Sequence, residues 1–405
     1  MQNIIIDKPY EFVPPYSSSF WPPVLNWFLP IFLKRSHGIV KIECRGVEHI
    51  QRSIAAGHGI LLAPNHSRPC DPMVLSSLAQ AAGRNFFIMT SWHLFMQDGL
   101  TRWLLRRAGA FSVYREGMDK AALAAAMDIL VEGRRPLIVF PEGIVSRTND
   151  HLSPLMDGTA FIARGAAKKR AKNNPNSKVV IHPVSINYFF RGDILAAIQP
   201  VLDEIETRLS WQPQRGVGPI DRITKVGGAL LSLKEIQYMG EAQHGEINER
   251  LPKLIDCILA PLEKEWRDGK SDSHVIARVK KLRQAILPEM AKGDLPEEER
   301  ARRWRQLADL YLAQQLDFYR PDYVKMRPTP ERLLETVERF EEDLTDKARV
   351  YRPMEALIEA GEAIEVNPER DRHAPTDELM QTLEDRLKAQ LRRNAESNTA
   401  LIPGI

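Results

Sequence analysis

The chain has 405 residues, 43% hydrophobic and 27% charged, with 56 Lys plus Arg against 53 Asp plus Glu. That length allows two or three ordinary domains or one domain with a large insertion, and the near balance of charge supplies no overall field for nucleic acid, so no nucleic-acid partner is expected. Cys44, Cys70 and Cys257 are far apart and form no C-x-x-C pair, which excludes a disulfide framework and a cysteine-rich zinc site; a reducing compartment fits, and neither a metal nor a cofactor is expected.

The N-terminus lacks the basic start, apolar stretch and small-residue cleavage site of a secretory signal. Phe20 to Leu33 is the most apolar run, but it has 14 residues and is broken by Pro22, Pro23 and Pro30. A membrane-spanning helix needs about 20 apolar residues. Trp21 and Trp27, followed by Lys34 and Arg35, suit a segment lying in a membrane interface; an arm packed on the protein's own core fits the same residues. Residues 1–36 are set apart on this basis.

Residues 37–192 read as alternating strands and helices. Gly38 to Cys44 alternates apolar and polar residues like a half-buried strand, and Gly59 to Ala63 is a short buried one. Met73 to Ala82 follows as a helix, Asn85 to Thr90 as a strand and Leu100 to Ala108 as a helix. Ala110 to Tyr114 is the next strand, Met118 to Glu132 an Ala-rich helix closed by Gly133, and Pro136 to Phe140 a buried strand. Asp157 to Lys169 is helical and Lys178 to Tyr188 is a strand. This rhythm predicts an α/β sheet with crossover helices. The Lys168 to Lys172 run reads as a solvated helix end before the loop at 173–176.

From 193 to 348 charged residues recur at helical spacing and no strand stands out. Gly245 to Trp266, Ser273 to Ala291, Glu297 to Leu316 and Pro330 to Leu344 are helices, the last opened by Thr329-Pro330-Glu331. This block is a helical insertion or a second domain. In 349–400 short alternating pieces within Arg352 to Val366 precede an amphipathic helix, Asp377 to Arg393.

Four stretches could carry chemistry. Asn65-His66-Ser67-Arg68-Pro69-Cys70-Asp71-Pro72 lies where a strand ends and a helix begins, the place where α/β sheets bind ligands. If the turn folds back, Asp71 can accept a hydrogen bond from one ring nitrogen of His66 and leave the other to abstract a proton. Asp before Pro is equally an ordinary helix cap. Phe140-Pro141-Glu142-Gly143 follows a buried strand; Gly143 permits close backbone approach, and Arg147 could grip a phosphate, though both also fit a plain turn with a surface arginine. Gly109 to Arg115 is a strand ending in an arginine. Ile181-His182-Pro183-Val184 holds a histidine read as structural.

In order and spacing these stretches resemble the glycerolipid acyltransferase family, typified by 1-acyl-glycerol-3-phosphate (lysophosphatidic acid) acyltransferases. Asn65-His66 through Asp71 resembles its N-H-x-x-x-x-D, Gly109 to Arg115 its G-x-x-F-x-x-R, and Phe140 to Gly143 its F-P-E-G; Ile181 to Val184 stands where the family has an apolar strand with a proline. The likeness covers roughly residues 40–190. It implies a mixed central sheet with crossover helices, and acyl transfer from a thioester, acyl-CoA or acyl carrier protein, to a lysolipid hydroxyl in phospholipid biosynthesis or remodelling. It also implies His66 as general base and Asp71 as its partner, with Asn65, Arg115, Glu142, Gly143 and Arg147 on the acceptor. A thioester is already activated, so proton removal and positioning can suffice.

One departure bears on the acceptor. Family members with phosphate-bearing acceptors usually continue F-P-E-G with Thr-Arg-Ser, whereas this chain has Ile144-Val145-Ser146 and its arginine arrives at Arg147. Another lysolipid, or a hydroxyl or amine lipid without phosphate, remains open. By the same resemblance the tail from Glu359 is the terminal strand and helix of the domain, which makes 193–348 an insertion. The expected place of action is the cytoplasmic face of a membrane, peripheral or monotopic, reached through residues 20–35. Two other readings are a catalytically silent lipid-binding scaffold and a non-metal thioesterase. Neither G-x-S-x-G nor H-E-x-x-H occurs.

Overall fold

The structure, a computed structural model, describes residues 7–173, 177–320, 322–347, 349–370 and 376–398. Its strands are β1 (Ile39–Arg45), β2 (Gly59–Pro64), β3 (Phe87–Ser91), β4 (Ala110–Val113), β5 (Leu137–Ile138), β6 (Val179–Phe190), β7 (Met354–Ala360) and β8 (Ile364–Glu365). They form one sheet in the order β1-β7-β6-β2-β5-β3-β4, with β8 also on β6. Strands β2 to β6 run parallel. β7 and β8 pair antiparallel with β6, and β1 lies parallel to β7. The fold is therefore α/β with a mixed central sheet, crossover helices and a large helical block.

The central strands are apolar on both faces because helices cover both. Every residue of β2 and β6 is buried, as expected for strands covered on two sides. On one face the core joins helices Asp71–Ala81, Ile194–Arg208 and Pro330–Thr345 to the sheet. On the other it joins Lys120–Glu132, Gly158–Asn173 and Glu378–Asn398. The predicted Gly133 stop and Thr329 start act at the termini, and Asp119, inside the expected Met118 to Glu132 span, is the cap of its helix. Asp119 accepts from the Ala122 amide at 2.9 Å, Gly133 closes that helix at φ 66°, and the Thr329 hydroxyl accepts from the Arg332 amide at 3.3 Å.

Some boundaries shift. Only Leu137 and Ile138 of the expected strand Pro136 to Phe140 pair on both sides, because the chain then turns out into a loop, although the Val139 amide still bonds Leu62 O at 3.0 Å. Helix Trp92–Phe95 is too short for periodicity to announce it, whereas Val47–Ala55, with Val47, Ile50 and Ile54 at helical spacing, is absent from the expected elements although its pattern is present. Residues 21–37 form a helix: Pro22 and Pro23 sit in its first turn, where no intrahelical amide bond is lost, and Pro30 lies inside. Leu33 packs into the sheet core, while Phe20, Trp27, Phe28, Ile31 and Phe32 are exposed. One face of this helix is therefore packed on the core and the other is exposed. No helix among the described residues is long and apolar enough to cross a membrane.

β7 sits between β1 and β6, so the sheet closes only after the helical block. That block is not uniform. Its first and last helices place Ile198, Leu202, Leu333 and Val337 in the sheet core, whereas Ile247–Arg267, Val275–Lys292 and Glu297–Asp317 share a separate core around Leu259, Leu282 and Leu310. Of the segments expected from sequence, residues 1–6, most of the loop at 173–176 (residues 174–176), and residues 321, 348, 371–375 and 399–400 lie outside the described residues.

Candidate active site

Strands β2 to β6 end on the same edge, and the loops leaving that edge carry the candidate residues. At the end of β2 the chain is stapled to β6. The Asn65 carboxamide accepts from the Ile186 amide at 2.7 Å and donates to the Ile186 carbonyl at 3.0 Å, buried at both ends. His66 follows immediately, and the turn through Pro69 brings Asp71 back to it. His66 Nδ1 lies 2.8 Å from Asp71 Oδ2.

Asp71 is fully buried at the first position of its helix, and it does not act as the expected cap. Oδ2 accepts from the Arg68 amide at 3.0 Å as well as facing the imidazole, and Oδ1 accepts from the Tyr188 hydroxyl at 2.5 Å. Its acceptor capacity is thus engaged by the turn, the ring and β6 in place of the helix amides. Tyr188 had no sequence signal: it reads as one more apolar residue of a buried strand.

The F-P-E-G loop leaves β5, next to β2, and holds the backbone of His66 on both sides. Glu142 Oε1 accepts from the His66 amide at 2.6 Å, and the Ser146 amide donates to the His66 carbonyl at 2.7 Å. The second Glu142 oxygen accepts from the Ser153 amide at 2.9 Å. Burial pushes the Glu142 carboxyl up to about 7 against these two amide bonds. Phe140 stacks on the imidazole with ring centroids 3.9 Å apart. The ring is held at Nδ1 and along its face, and only Nε2 is left for a substrate.

This geometry corrects the expected roles of two residues. Asn65 and Glu142 are buried, and their side-chain oxygens are engaged by protein amides, so they position the His66 loop and do not face an acceptor. Gly143 also serves the loop itself: its φ is 66°, and a Cβ there would collide with the Met156 thioether.

Arg147 enters the site loop with a left-handed backbone at φ 57°. Its guanidinium is bound by Glu342 across a 2.7 Å Nη2 to Oε1 bond. Glu342 belongs to helix Pro330–Thr345, which latches onto both loops. Glu338 grips Arg68 through two oxygens, at 3.4 and 3.1 Å, Arg339 donates to the Ser146 carbonyl at 3.0 Å, and Glu335 accepts from the Asn149 amide at 3.2 Å. None of these partners is adjacent in sequence to the motifs they hold.

Arg115 follows β4, two strands from β5 and three from β2, and is half-buried. Burial, and after it the charge of Arg115, holds His93 well below the usual imidazole range, at about 4. His182 is a satisfied core histidine bonded to the Gly361 carbonyl at 2.8 Å and the Ser53 hydroxyl at 2.9 Å. Burial and the neighbouring Asp71 raise the Cys70 thiol to about 12, which leaves it without nucleophilic character. The chemistry on offer is proton transfer by an imidazole backed by a buried carboxylate.

Residues 41–187, from β1 through most of β6, match the acyltransferase family model. No curated protein matches the chain. This stretch is an acyltransferase domain of the glycerolipid acyltransferase family, and the histidine, aspartate and F-P-E-G loop described above all fall within it.

Proposed function

We propose that this acyltransferase moves a fatty acyl group from a thioester, acyl-CoA or acyl carrier protein, to the hydroxyl of a lysoglycerolipid such as 1-acyl-glycerol-3-phosphate, at a membrane surface on the cytoplasmic side. The observation that carries the reading is the 2.8 Å contact between His66 Nδ1 and the fully buried Asp71. In the proposed reaction Nε2 of His66 takes the acceptor hydroxyl proton as the oxygen attacks the thioester carbonyl. The C–S bond breaks, the ester forms, and the imidazolium returns the proton to the departing thiolate. Asp71 stabilises the transient imidazolium; a positioned base of this kind contributes roughly 10² to 10⁴ in rate.

Asn65, Glu142, Gly143 and Ser146 keep His66 in place. Arg115 is the proposed headgroup contact, since Glu342 already neutralises Arg147. Membrane contact is proposed through helix Trp21–His37. Its Trp27, Phe28 and Ile31 are exposed, its Trp21 meets the partly exposed Trp103 ring edge-on at 4.8 Å, and Lys34 and Arg35 lie in its last turn. Aromatics beside cations suit an anionic bilayer interface.

The test is an acceptor panel of lysolipids and monoacylglycerol with one acyl-CoA, read by mass spectrometry, on wild type and His66→Ala. New ester in wild type and none in a folded His66→Ala is expected. Thiol release without acceptor at the full rate would mean hydrolysis, and equal ester yield from both proteins would remove His66 from the reaction.

A further inference from the structure

Helix Val275–Lys292 belongs to the separate helical core, with Val279, Leu282, Ile286 and Met290 pointing inward. Arg283 stands among them at 5% exposure, and its Nε and Nη2 have no hydrogen-bond partner among the described residues. Two other buried arginines of the block are matched by carboxylates, and a third, Arg339, donates to the Phe318 and Ser146 carbonyls. Arg222 bonds Glu206 and Asp203, and Arg303 bonds Glu299 and Glu289. A buried guanidinium with no carboxylate hydrogen-bonded to it among the described residues carries a desolvation penalty that the nearby charge of Glu116 offsets only in part.

Its surroundings are cationic. Arg115, from the loop after β4, acts electrostatically on Arg283 and on Lys280, which lies one turn earlier on the same helix. Glu116 is a carboxylate that acts on both. Tyr311 lies close enough to interact with both Arg283 and Arg147, which ties the cluster to the loop whose Ser146 holds His66. Three cations facing one carboxylate suit a phosphate monoester, which carries about −1.5 to −2 at neutral pH, and a guanidinium with two free N–H groups matches two phosphate oxygens.

We propose that Arg283 and Lys280 of the helical block, with Arg115 of the sheet domain, form a phosphate site at the sheet edge that carries the His66 loop, and that the phosphate belongs to a substrate of the acyl transfer. This rests on the acyl-transfer reading above. The phosphate comes from the acceptor headgroup or from the CoA or phosphopantetheine end of the donor. The helical block thereby becomes part of the substrate site, and Arg283 sets specificity for phosphorylated substrates.

The full-length protein and its Arg283→Gln, Arg283→Lys and Lys280→Ala variants test this, each checked for fold by circular dichroism. Lys280 is half-buried, so its variant keeps the test open if Arg283→Gln fails to fold. In one arm inorganic phosphate is titrated in thermal unfolding. Wild type should be stabilised, and Arg283→Gln and Lys280→Ala should lose most of the shift. In the second arm KM is measured for 1-acyl-glycerol-3-phosphate against monoacylglycerol and for acyl-CoA against acyl-pantetheine. A rise of roughly 10- to 100-fold in Arg283→Gln for the phosphorylated acceptor alone assigns the headgroup, and the same rise for acyl-CoA alone assigns the donor; Arg283→Lys should recover part of it. Unchanged KM values together with equal phosphate stabilisation in folded variants would overturn the site. If wild type transfers no acyl group to any acceptor, the functional reading fails, and the phosphate titration still decides the site.

Discussion

Replacing Asp71 by Asn separates the charge of that side chain from its shape. In wild type Oδ2 faces His66 Nδ1 at 2.8 Å and the Arg68 amide at 3.0 Å, while Oδ1 takes the Tyr188 hydroxyl. Asn can keep this arrangement with its carbonyl in the Oδ2 position, because the Arg68 N–H opposes the flipped rotamer. Its NH₂ then donates to the Tyr188 oxygen, and the Tyr188 proton turns to Cys70 Sγ, 3.6 Å away. The fold should therefore lose no more than about 1 kcal/mol, the scale of one ordinary hydrogen bond.

The transition state is affected more strongly. An imidazolium about 4 Å from a carboxylate gains roughly 4 kcal/mol at an effective dielectric of about 20, and the charge-assisted bond exceeds its neutral counterpart by about 1 to 1.5 kcal/mol. These two figures overlap in origin, so a loss of about 2 to 4 kcal/mol is expected, or about 30- to 1,000-fold in kcat. The assay is turnover of labelled acyl-CoA at saturating acceptor, paired with urea unfolding of the same preparation. A variant with wild-type stability and kcat within about threefold would refute the assignment of Asp71 as the electrostatic partner of His66.

Three further outcomes follow from the same geometry. Burial raises the carboxyls of Glu142 to about 7 and Glu335 to about 8; each folded pKa lies above its unfolded value, so their stabilising contribution is complete below about pH 4.5 and is lost as pH rises toward 8. Between pH 5.5 and 8, wild type should lose about 2 kcal/mol relative to Glu142→Gln in urea unfolding, and parallel profiles would contradict a buried, up-shifted Glu142. Gly143→Ala should destabilise by about 2 kcal/mol, from the left-handed backbone and the Met156 collision, with part of the loss recovered in Gly143→Ala/Met156→Ala; a neutral single variant would mean the loop has another conformation. The double change Trp27→Ser/Phe28→Ser, at positions 79% and 59% exposed, should weaken sedimentation with anionic vesicles by at least about tenfold, since each inserted side chain contributes about 1.5 to 3 kcal/mol; unchanged binding would exclude this face.

Much of the fold was legible because apolar periodicity is local. The run of β2, the Gly133 end of helix Lys120–Glu132 and the Thr329 start of Pro330–Thr345 all follow from a few neighbouring residues. Elements as short as Trp92–Phe95 carry too few residues for a period to emerge. The motif residues were legible as chemistry, but spacing could not separate a side chain that faces substrate from one that braces the loop. Glu142 and Asn65 stand beside His66 in the motifs, yet their polar atoms are consumed by amides from β6 and from the loop at Ser153.

The sequence by itself determined which residues can act, His66 with Asp71 five positions later, and the strand–helix rhythm that brings their loop to a sheet edge. Only the tertiary structure decided that Asp71 is held by Tyr188 rather than capping its helix, that Glu342 occupies Arg147, and that Arg283 lies buried with Nε and Nη2 unpartnered among the described residues. The physical reason is separation along the chain. Tyr188 lies 117 residues from Asp71, and Glu342 lies 195 from Arg147. Partners this distant leave no periodic or local trace, and they meet only because the sheet and the helical block bury apolar faces that bring them together.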